Sequence, residues 1–345
     1  MKEDSAEHGG GRWGRWRRRL TRVPGLAPAY RSLRGVWRGV RAGLPVGSGA
    51  REKVSEVWGR EAASRFSRPP KDWMESAEVC WEYVFPQFGG VDWYRYIVER
   101  CCPEARAVGL SVCCGSGFVE REFVKQGICE AIEGVDISPE AVEVCRREAE
   151  SAGLSDRLTY RVADVERIEL KPHSYDLVVA WMALHHLRRL EHVFREVRRA
   201  LRPEGIFIIN EYVGPARFQV PEERVAIINR ILADVPESLR RTLDGEVKER
   251  FEPPQLSDII RYDPSEAVRS DHIMPLLKQT FAVTDCIGYG GTILYWVLQG
   301  IVHNFKGDDP EHRAVLGRLY AAEREVLEGG RFGSDFAIAI ALRPE

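Results

Sequence analysis

Short apolar segments alternate with amphipathic segments along most of this chain. The apolar segments are five to seven residues long, which is typical of buried strands. They occupy residues 108–112, 131–135, 158–162, 175–180, 205–210, 281–287 and 336–342. Between the first five, apolar residues recur at helical spacing, so the pattern predicts an α/β domain.

A glycine turn follows the first apolar segment. Gly115, Ser116 and Gly117 separate the strand predicted at 108–112 from a helical pattern that begins at Phe118. Strand, glycine turn and helix in this order open a nucleotide-binding unit. Glycine also lets the main chain pass close to a ligand, where a Cβ atom would clash. We therefore expect this turn to contact a cofactor.

Acidic residues follow the second and third predicted strands. Asp136 stands 19 residues after Gly117, where a carboxylate can accept both ribose hydroxyls of a nucleotide. Asp164 follows the third strand in the same way. The third glycine of a dinucleotide-binding fingerprint is replaced by Glu120. The pattern therefore points away from a dinucleotide cofactor.

These motifs resemble those of the class I S-adenosylmethionine-dependent methyltransferases, in particular the group that acts on small molecules and has a His pair after strand four. The resemblance covers roughly residues 105–215. The similar segments are CCGSG at 113–117, GVDISPEAV at 134–142, AD at 163–164, YDLVVAWMALHHL at 175–187 and LRPEGIFIINE at 201–211. Two positions depart from the usual glycine loop, because Ser111 replaces an acid and Cys113 replaces a glycine.

The resemblance implies a fold and a cofactor. The fold is a seven-stranded, doubly wound, Rossmann-like sheet whose sixth and seventh strands pair antiparallel at one edge. The cofactor is S-adenosyl-L-methionine, with Asp136 at its ribose hydroxyls, Asp164 at its adenine amino group, and Ile137 and Val165 beside them. Because Ser111 lacks a carboxylate, we expect main-chain groups or the N-terminal helices to hold the amino end of the cofactor.

The composition divides the chain into five segments. A basic segment at 1–50 precedes a helical cap at 51–104 that is dense in aromatic residues. The α/β core at 105–216 follows, then a helical insertion at 217–262 that we interpret as a lid or substrate-selecting part. Residues 263–345 complete the sheet and hold a second helical insertion after strand six. The aromatic residues of the cap either pack its helices or line the substrate site.

Helical spacing also predicts the elements within the insertions. It predicts one helix over 221–243 and two helices over 294–305 and 310–327. The sequence DPSE at 263–266 predicts a capping box, in which Glu266 bonds back to the start of a helix that runs to about residue 279.

Two polar residues follow the strands at which chemistry is expected, since ligands of open α/β sheets lie at the carboxyl ends of strands. His185 comes after strand four, and imidazole suits the removal of a proton from a hydroxyl acceptor. Binding the cofactor or capping the next helix are alternative roles for it. Glu211 ends strand five as a base, an orienting group, or a carboxylate bound to main-chain amides. His186 is interpreted as structural.

Charge is distributed unevenly along the chain. Residues 1–50 hold ten arginines and one lysine against three acids, while the formal net charge of the chain is −2. The rest of the chain is therefore acidic, which argues against nucleic acid as a partner. The basic segment, which also contains tryptophans, is either a disordered tail or a peripheral contact to an anionic membrane surface.

The cysteines and acids do not suggest a metal. Eight cysteines lack C-x-x-C spacing, so we interpret them as reduced residues of a cytoplasmic protein. Acids do not cluster at the strand ends as a metal-dependent catechol-type enzyme requires, so the sequence predicts no metal. No run of 18 apolar residues occurs, so no membrane span is expected.

The leading hypothesis is a methyltransferase that acts on a hydroxyl of a small molecule, such as a sugar, a lipid-linked glycan or another metabolite. Two alternatives remain open. One is a non-catalytic module that binds the cofactor and recruits partners. The other is a nicotinamide-dependent oxidoreductase, against which Glu120 and the predicted terminal hairpin count.

Overall fold

The computed structural model describes residues 48–64, 69–101 and 107–344. The predicted basic segment lies almost entirely outside the described residues, and so does the membrane contact expected of it. The described part of the chain contains one seven-stranded sheet. Its strands are β1 Val108–Val112, β2 Ala131–Asp136, β3 Leu158–Val162, β4 Tyr175–Trp181, β5 Leu201–Tyr212, β6 Ala282–Gly290 and β7 Phe336–Leu342.

The order of the strands reverses beside β1, which lies at the centre of the parallel part. The order across the sheet is β3-β2-β1-β4-β5-β7-β6. The first five strands are parallel, and β7 runs antiparallel to both β5 and β6. The carboxyl ends of β1, β2, β4 and β5 therefore meet at one edge, where a doubly wound sheet binds its ligands. The predicted fold class is confirmed.

Helices cover both faces of the sheet and fill the insertions. They are α1 Ser48–Ser64, α2 Trp93–Cys101, α3 Phe118–Lys125, α4 Pro139–Ser151, α5 Leu190–Ala200, α6 Glu222–Ala233, α7 Leu256–Tyr262, α8 Ser270–Thr280, α9 Leu294–Leu298 and α10 Pro310–Glu328. Helix α4 begins as its sequence predicts, because the Ser138 hydroxyl accepts the Ala141 N–H and Pro139 occupies the first helical position.

The insertions are less helical than the apolar spacing predicts. Helix α6 ends at Ala233, ten residues early, and Pro236 then interrupts the main-chain hydrogen bonding. Helix α9 has only five residues and ends before Gly300, whose φ of +77° belongs to the left-handed region. In both places, local turn residues outweigh the helical spacing of the apolar side chains.

The core on one face of the sheet is built around three phenylalanines. Phe194 of α5, Phe207 of β5 and Phe281 before β6 have ring centroids 5.2–6.1 Å apart. Phe207 is fully buried, so its replacement by alanine should cost about 3–5 kcal/mol of stability. This packing holds β5 in position, and with it the residues at its carboxyl end that lie at the ligand edge.

The second insertion begins and ends at neighbouring points of the sheet. Gly290 at the end of β6 pairs with Phe336 at the start of β7. Between them, the buried carboxylate of Glu323 in α10 accepts the N–H groups of Thr292, Ile293 and Leu294 at 2.6–3.0 Å.

Among the described helices, none is both long and apolar enough to cross a bilayer.

Candidate active site

The glycine turn joins β1 to α3 and takes the left-handed backbone that glycine permits. The φ angles of Gly115 and Gly117 are +55° and +70°. A Cβ atom on Gly115 would meet nothing within 4 Å, whereas one on Gly117 would lie 2.9 Å from the Tyr160 hydroxyl. Gly115 therefore borders open space that a ligand can enter, while Gly117 is required by packing.

Cys113, which replaces the usual glycine of this loop, keeps the backbone conformation of a glycine. It stands where a glycine is usual and has a φ of +56°, the left-handed conformation that glycine would adopt there. A non-glycine residue in this region costs roughly 1–2 kcal/mol. Such cost is typical of loops held in shape for a ligand.

Asp136 ties the glycine turn to the second strand. Its Oδ2 accepts the Gly115 N–H at 2.9 Å, and its Oδ1 accepts the Ser138 N–H at 2.9 Å. The carboxylate is 4% exposed, and this burial raises its pKa against the opposing effect of the two N–H donors. Each oxygen keeps a further lone pair for a hydroxyl donor.

Asp164 follows β3 and is held by its own loop and by α1. Its Oδ1 accepts the Glu166 N–H at 2.9 Å, and its Oδ2 lies 3.4 Å from Arg51 Nε. The adjacent Val165 is buried in the core. The contact of Asp164 with an adenine stays a prediction. An adenine amino group would have to compete with Arg51 for this carboxylate.

Helix α1 covers this edge of the sheet. Its Gly59 lies so close to α4 that a Cβ atom there would stand 2.9 Å from Glu140 Cβ. One turn away, the Ser55 hydroxyl donates to the Ile137 carbonyl at 3.5 Å, and the Trp58 ring meets the His186 ring edge-on at 4.5 Å. The first helix of the predicted cap thus reaches both the cofactor loops and the His pair.

His185 and Glu211 form a buried pair. His185 Nδ1 lies 2.8 Å from Glu211 Oε2, and the two side chains are 6% and 0% exposed. The other oxygen, Glu211 Oε1, accepts the N–H groups of Ala183 and Leu184 at 2.7 and 2.5 Å. Two of the roles considered for Glu211 therefore coexist, because one oxygen binds main-chain amides and the other orients the imidazole. In the tautomer that carries its proton on Nδ1, His185 donates to this carboxylate, and Nε2 is then left as an acceptor.

The two histidines have opposite electrostatic surroundings. Burial tends to lower the pKa of His185, but the hydrogen bond and charge of Glu211, together with Glu266, outweigh it and raise the pKa. Burial and the neighbouring His185 lower the pKa of His186 well below its ordinary value. His186 is therefore neutral near pH 7, whereas the pKa of His185 lies above its ordinary value.

Asp263 and Glu266 join the His pair, which the sequence did not predict. Glu266 Oε1 lies 3.8 Å from His185 Nε2, and Asp263 Oδ2 lies 3.6 Å from His186 Nδ1. The predicted capping box is wrong, because Asp263 Oδ1 binds the N–H and hydroxyl of Ser265 and helix α8 starts only at Ser270. Burial raises the pKa of Glu266 to about 7. The His pair and this acidic segment are some 80 positions apart in the chain, so no local pattern links them.

Aromatic side chains of the cap pack beside the end of β4. Trp181 stacks on Tyr94 with ring centroids 5.6 Å apart and planes 6° apart, and the edge of Trp93 faces it at 6.0 Å. Tyr289 donates a 2.5 Å hydrogen bond to Asn210 Oδ1 at the end of β5. Trp181 is only partly buried, and its contacts with Tyr94 and Trp93 are helix packing, while a substrate wall stays a prediction.

Comparison with known proteins agrees with the fold. The family profile described as "Methyltransferase domain" matches residues 110–209. A sterol 24-C-methyltransferase of Gibberella zeae is 36% identical over 104 residues, which are 30% of this chain and 27% of that protein. The 27-O-demethylrifamycin SV methyltransferase of Amycolatopsis mediterranei is 30% identical over 102 residues, 29% of this chain and 38% of that protein.

The chain spans between about a quarter and two fifths of the length of these curated relatives. Among solved structures, a geranyl diphosphate methyltransferase in complex with GPP and sinefungin has a TM-score of 0.50 and 14% identity. That likeness covers 86% of this chain and 100% of the other, and it concerns the fold alone.

Proposed function

We propose that the protein, whose residues 110–209 match a methyltransferase domain, is a class I S-adenosylmethionine-dependent methyltransferase that methylates a hydroxyl group of a small molecule. The observation that carries the proposal is the buried His185–Glu211 pair at the edge of the sheet that also holds Gly115 and Asp136. A proton acceptor and a nucleotide loop at one edge suit the transfer of a methyl group to an oxygen.

The residues of the glycine turn fit S-adenosylmethionine. Gly115 leaves open the space that a Cβ atom would fill, and its N–H is already aligned by Asp136. The Asp136 carboxylate retains lone pairs for a pair of ribose hydroxyls, which are donors that a buried carboxylate binds well. We assign the ribose to Asp136 and Ile137, and the adenine to Asp164 and Val165.

The chemistry divides between cofactor and protein. The cofactor, when bound, supplies a methyl group on a sulfonium that is already activated for displacement. An acceptor oxygen that took this methyl group would leave the carbon–sulfur electrons on sulfur and would have to lose its own proton. His185 Nε2 takes that proton, and Glu211 stabilises the resulting imidazolium through its bond to Nδ1.

The names of the relatives support a small-molecule acceptor but leave the acceptor atom open. One relative is named for an O-methylation, another for methylation at carbon. A hydroxyl has to lose its proton as it attacks, and a base held by a fully buried carboxylate meets that need directly. This difference favours oxygen over a nitrogen acceptor, which carries its own lone pair.

The proposal is tested with purified protein, S-adenosylmethionine and a panel of hydroxylated polyketides, terpenoids and sterols, each beside its deoxy counterpart. Release of S-adenosylhomocysteine should occur with a hydroxylated compound and not with its deoxy form. Equal turnover of a deoxy compound contradicts oxygen as the acceptor atom. Absence of cofactor binding by calorimetry contradicts the methyltransferase activity itself.

A further inference from the structure

Two histidines and three carboxylates converge behind the ends of β4 and β5. They come from the turn after β4, from the end of β5, and from the acidic segment before α8. One possible ligand atom from each of His185, His186 and Glu266 lies within 4.8 Å of those of the other two. Atoms that bind one metal ion at about 2.1 Å are about 3–4 Å apart, so a small contraction brings these three to bonding distance.

The separations inside the cluster are too long for hydrogen bonds. His185 Nε2 and Glu266 Oε1 are 3.8 Å apart, although His185 is buried, Glu266 is only partly exposed, and both can accept a cation. A direct hydrogen bond in this position would close the gap to about 2.8 Å. The gap has instead the width that a shared ion would span.

Each histidine has a carboxylate on its Nδ1 side, so Nε2 is the nitrogen left for an ion. Glu211 accepts the Nδ1–H of His185, and the Ser265 hydroxyl at 3.2 Å with Asp263 at 3.6 Å faces Nδ1 of His186. Histidines that bind metals commonly donate their other N–H to a carboxylate in this way. The arrangement occurs twice here and leaves Nε2 available on both rings.

Asp263 supplies an independent observation. It is 1% exposed, and its Oδ2 makes no hydrogen bond. Nδ1 of His186 lies 3.6 Å from this oxygen, beyond hydrogen-bond distance, and leaving a buried carboxylate oxygen without a hydrogen bond is costly. A metal ion on the far nitrogen of His186 would polarise its Nδ1–H and give Asp263 Oδ2 the partner it lacks.

Two arginines near the cluster bind main-chain oxygens and not these carboxylates. Arg217 donates to the carbonyls of Glu266 and Pro264 at 2.8 and 2.9 Å, and Arg188 donates to Pro264 at 2.7 Å. They hold the 263–266 segment in place beside the His pair. Their charges lessen the negative potential of the cluster, but neither arginine donates a hydrogen bond to the Asp263 or Glu266 carboxylate oxygens.

We propose that His185, His186 and Glu266 bind a divalent first-row transition-metal ion, with Glu211 and Asp263 orienting the two imidazoles. Two imidazoles and one carboxylate suit zinc, iron, cobalt or manganese better than magnesium or calcium, which prefer oxygen ligands. Three protein ligands leave open positions for an acceptor oxygen, whose proton the ion would make easier to remove. The inference departs from the sequence expectation of no metal.

This proposal stands on the cluster and not on the proposed reaction, so the two fail separately. With an ion bound, His185 Nε2 is a ligand, and the ion takes over the activation of the hydroxyl. Methylation without metal binding would support the His185–Glu211 base and contradict the metal site. Metal binding without methyl transfer would support the metal site and contradict the proposed reaction.

The test uses the full chain, freed of metal with a chelator and titrated with Zn²⁺ by calorimetry and with Co²⁺ by absorption spectroscopy. We expect one ion per chain, and visible cobalt bands without a thiolate charge-transfer band in the near ultraviolet. Glu266→Gln and His186→Ala should weaken binding at least about ten-fold, and Asp263→Asn about ten- to a hundred-fold. The control is Asp271→Asn beside the exposed His272, which should change nothing.

Three results would overturn the proposal. They are the absence of stoichiometric binding, equal affinity in the wild type and in both Glu266→Gln and His186→Ala, or a thiolate band. The last would place the ion at cysteines such as Cys114 and Cys145, whose sulfurs are 3.9 Å apart. Glu266 is partly exposed and Gln preserves its volume, so that variant decides the question if Asp263→Asn fails to fold.

Discussion

The two halves of the ligand edge are built in different ways. The half at β1 and β2 comes from contiguous sequence, since Gly115, Asp136 and Ser138 lie within 24 positions and bind one another through main-chain N–H groups. The half at β4 and β5 combines His185 and Glu211 with Glu266 from a distant segment. In the proposed function, the first half holds the cofactor through main-chain donors and Asp136, and the second removes the proton of the acceptor. If this division is correct, substitutions in the two halves should change different measured quantities.

The largest effect is expected from His185→Ala. Removal of the proposed base should lower kcat about 10²–10⁴-fold, because general-base catalysis contributes about that much. The affinity for S-adenosylmethionine measured by calorimetry should stay within about two-fold, since the proposed cofactor contacts lie in the other half. His272→Ala, on an exposed histidine, is the matched control. Equal losses of kcat and of cofactor affinity would contradict the division of the edge into two halves with different roles.

Asp136→Asn should give the opposite result. Loss of a charged acceptor for two hydroxyls and for the Gly115 N–H should weaken cofactor binding about ten- to a hundred-fold, which corresponds to about 1.4–2.8 kcal/mol. At saturating cofactor, kcat should fall much less. Calorimetric titration and initial rates at several cofactor concentrations separate the two quantities. Unchanged affinity would remove Asp136 from the cofactor site.

The two glycines of the turn allow a finer comparison within the first half. An alanine at Gly115 meets open space in the protein, so Gly115→Ala should lower cofactor affinity while costing only about 1–2 kcal/mol of backbone strain. Gly117→Ala adds a 2.9 Å contact with the Tyr160 hydroxyl and should lower the thermal midpoint further. Thermal denaturation with and without cofactor measures both. A greater loss of stability for Gly115→Ala would reverse these roles.

The smallest expected effect is a displacement of the pH profile. The proposed base must be neutral, and the pKa of His185 lies above its ordinary value, so kcat should rise with pH through that raised value and then level off. Glu211→Gln removes the anion that raises the pKa, so the rising limb should move to lower pH while the maximum rate falls. Glu266, whose pKa is about 7, shares this titration. A limb that stays in place in Glu211→Gln would show that another group titrates.

The sequence predicts the first half of the edge better than the second because the first depends on local geometry. A glycine turn after a strand and an acid after the next strand place Asp136 against Gly115 in any doubly wound sheet. All seven strands were predicted for the same reason, since each is a short apolar segment. His185 and Glu211 also follow from their positions at strand ends.

Glu266 and Asp263 were not predictable, because their local pattern matches a different and common motif. An acid, a proline and a glutamate at the right spacing predict a helix start, yet the helix begins four residues after Glu266 and the glutamate faces His185. The early end of α6 has a similar origin, since helical spacing continues past a proline that breaks the helix. Tertiary contacts determine where α8 begins and where α6 ends, and a short stretch of sequence does not contain them.

The pairing of Gly290 with Phe336 has a consequence for how such a protein changes over generations. A segment whose ends meet can grow or shrink at little cost in closure entropy, and the register between β5 and β7 does not depend on its length. Its aromatic residues nevertheless reach the second half of the edge, where the Tyr295 ring lies 6.3 Å from that of Tyr212, next to Glu211. We therefore expect changes of length within residues 291–335 to alter the preference of the proposed acceptor site while the sheet beneath stays the same.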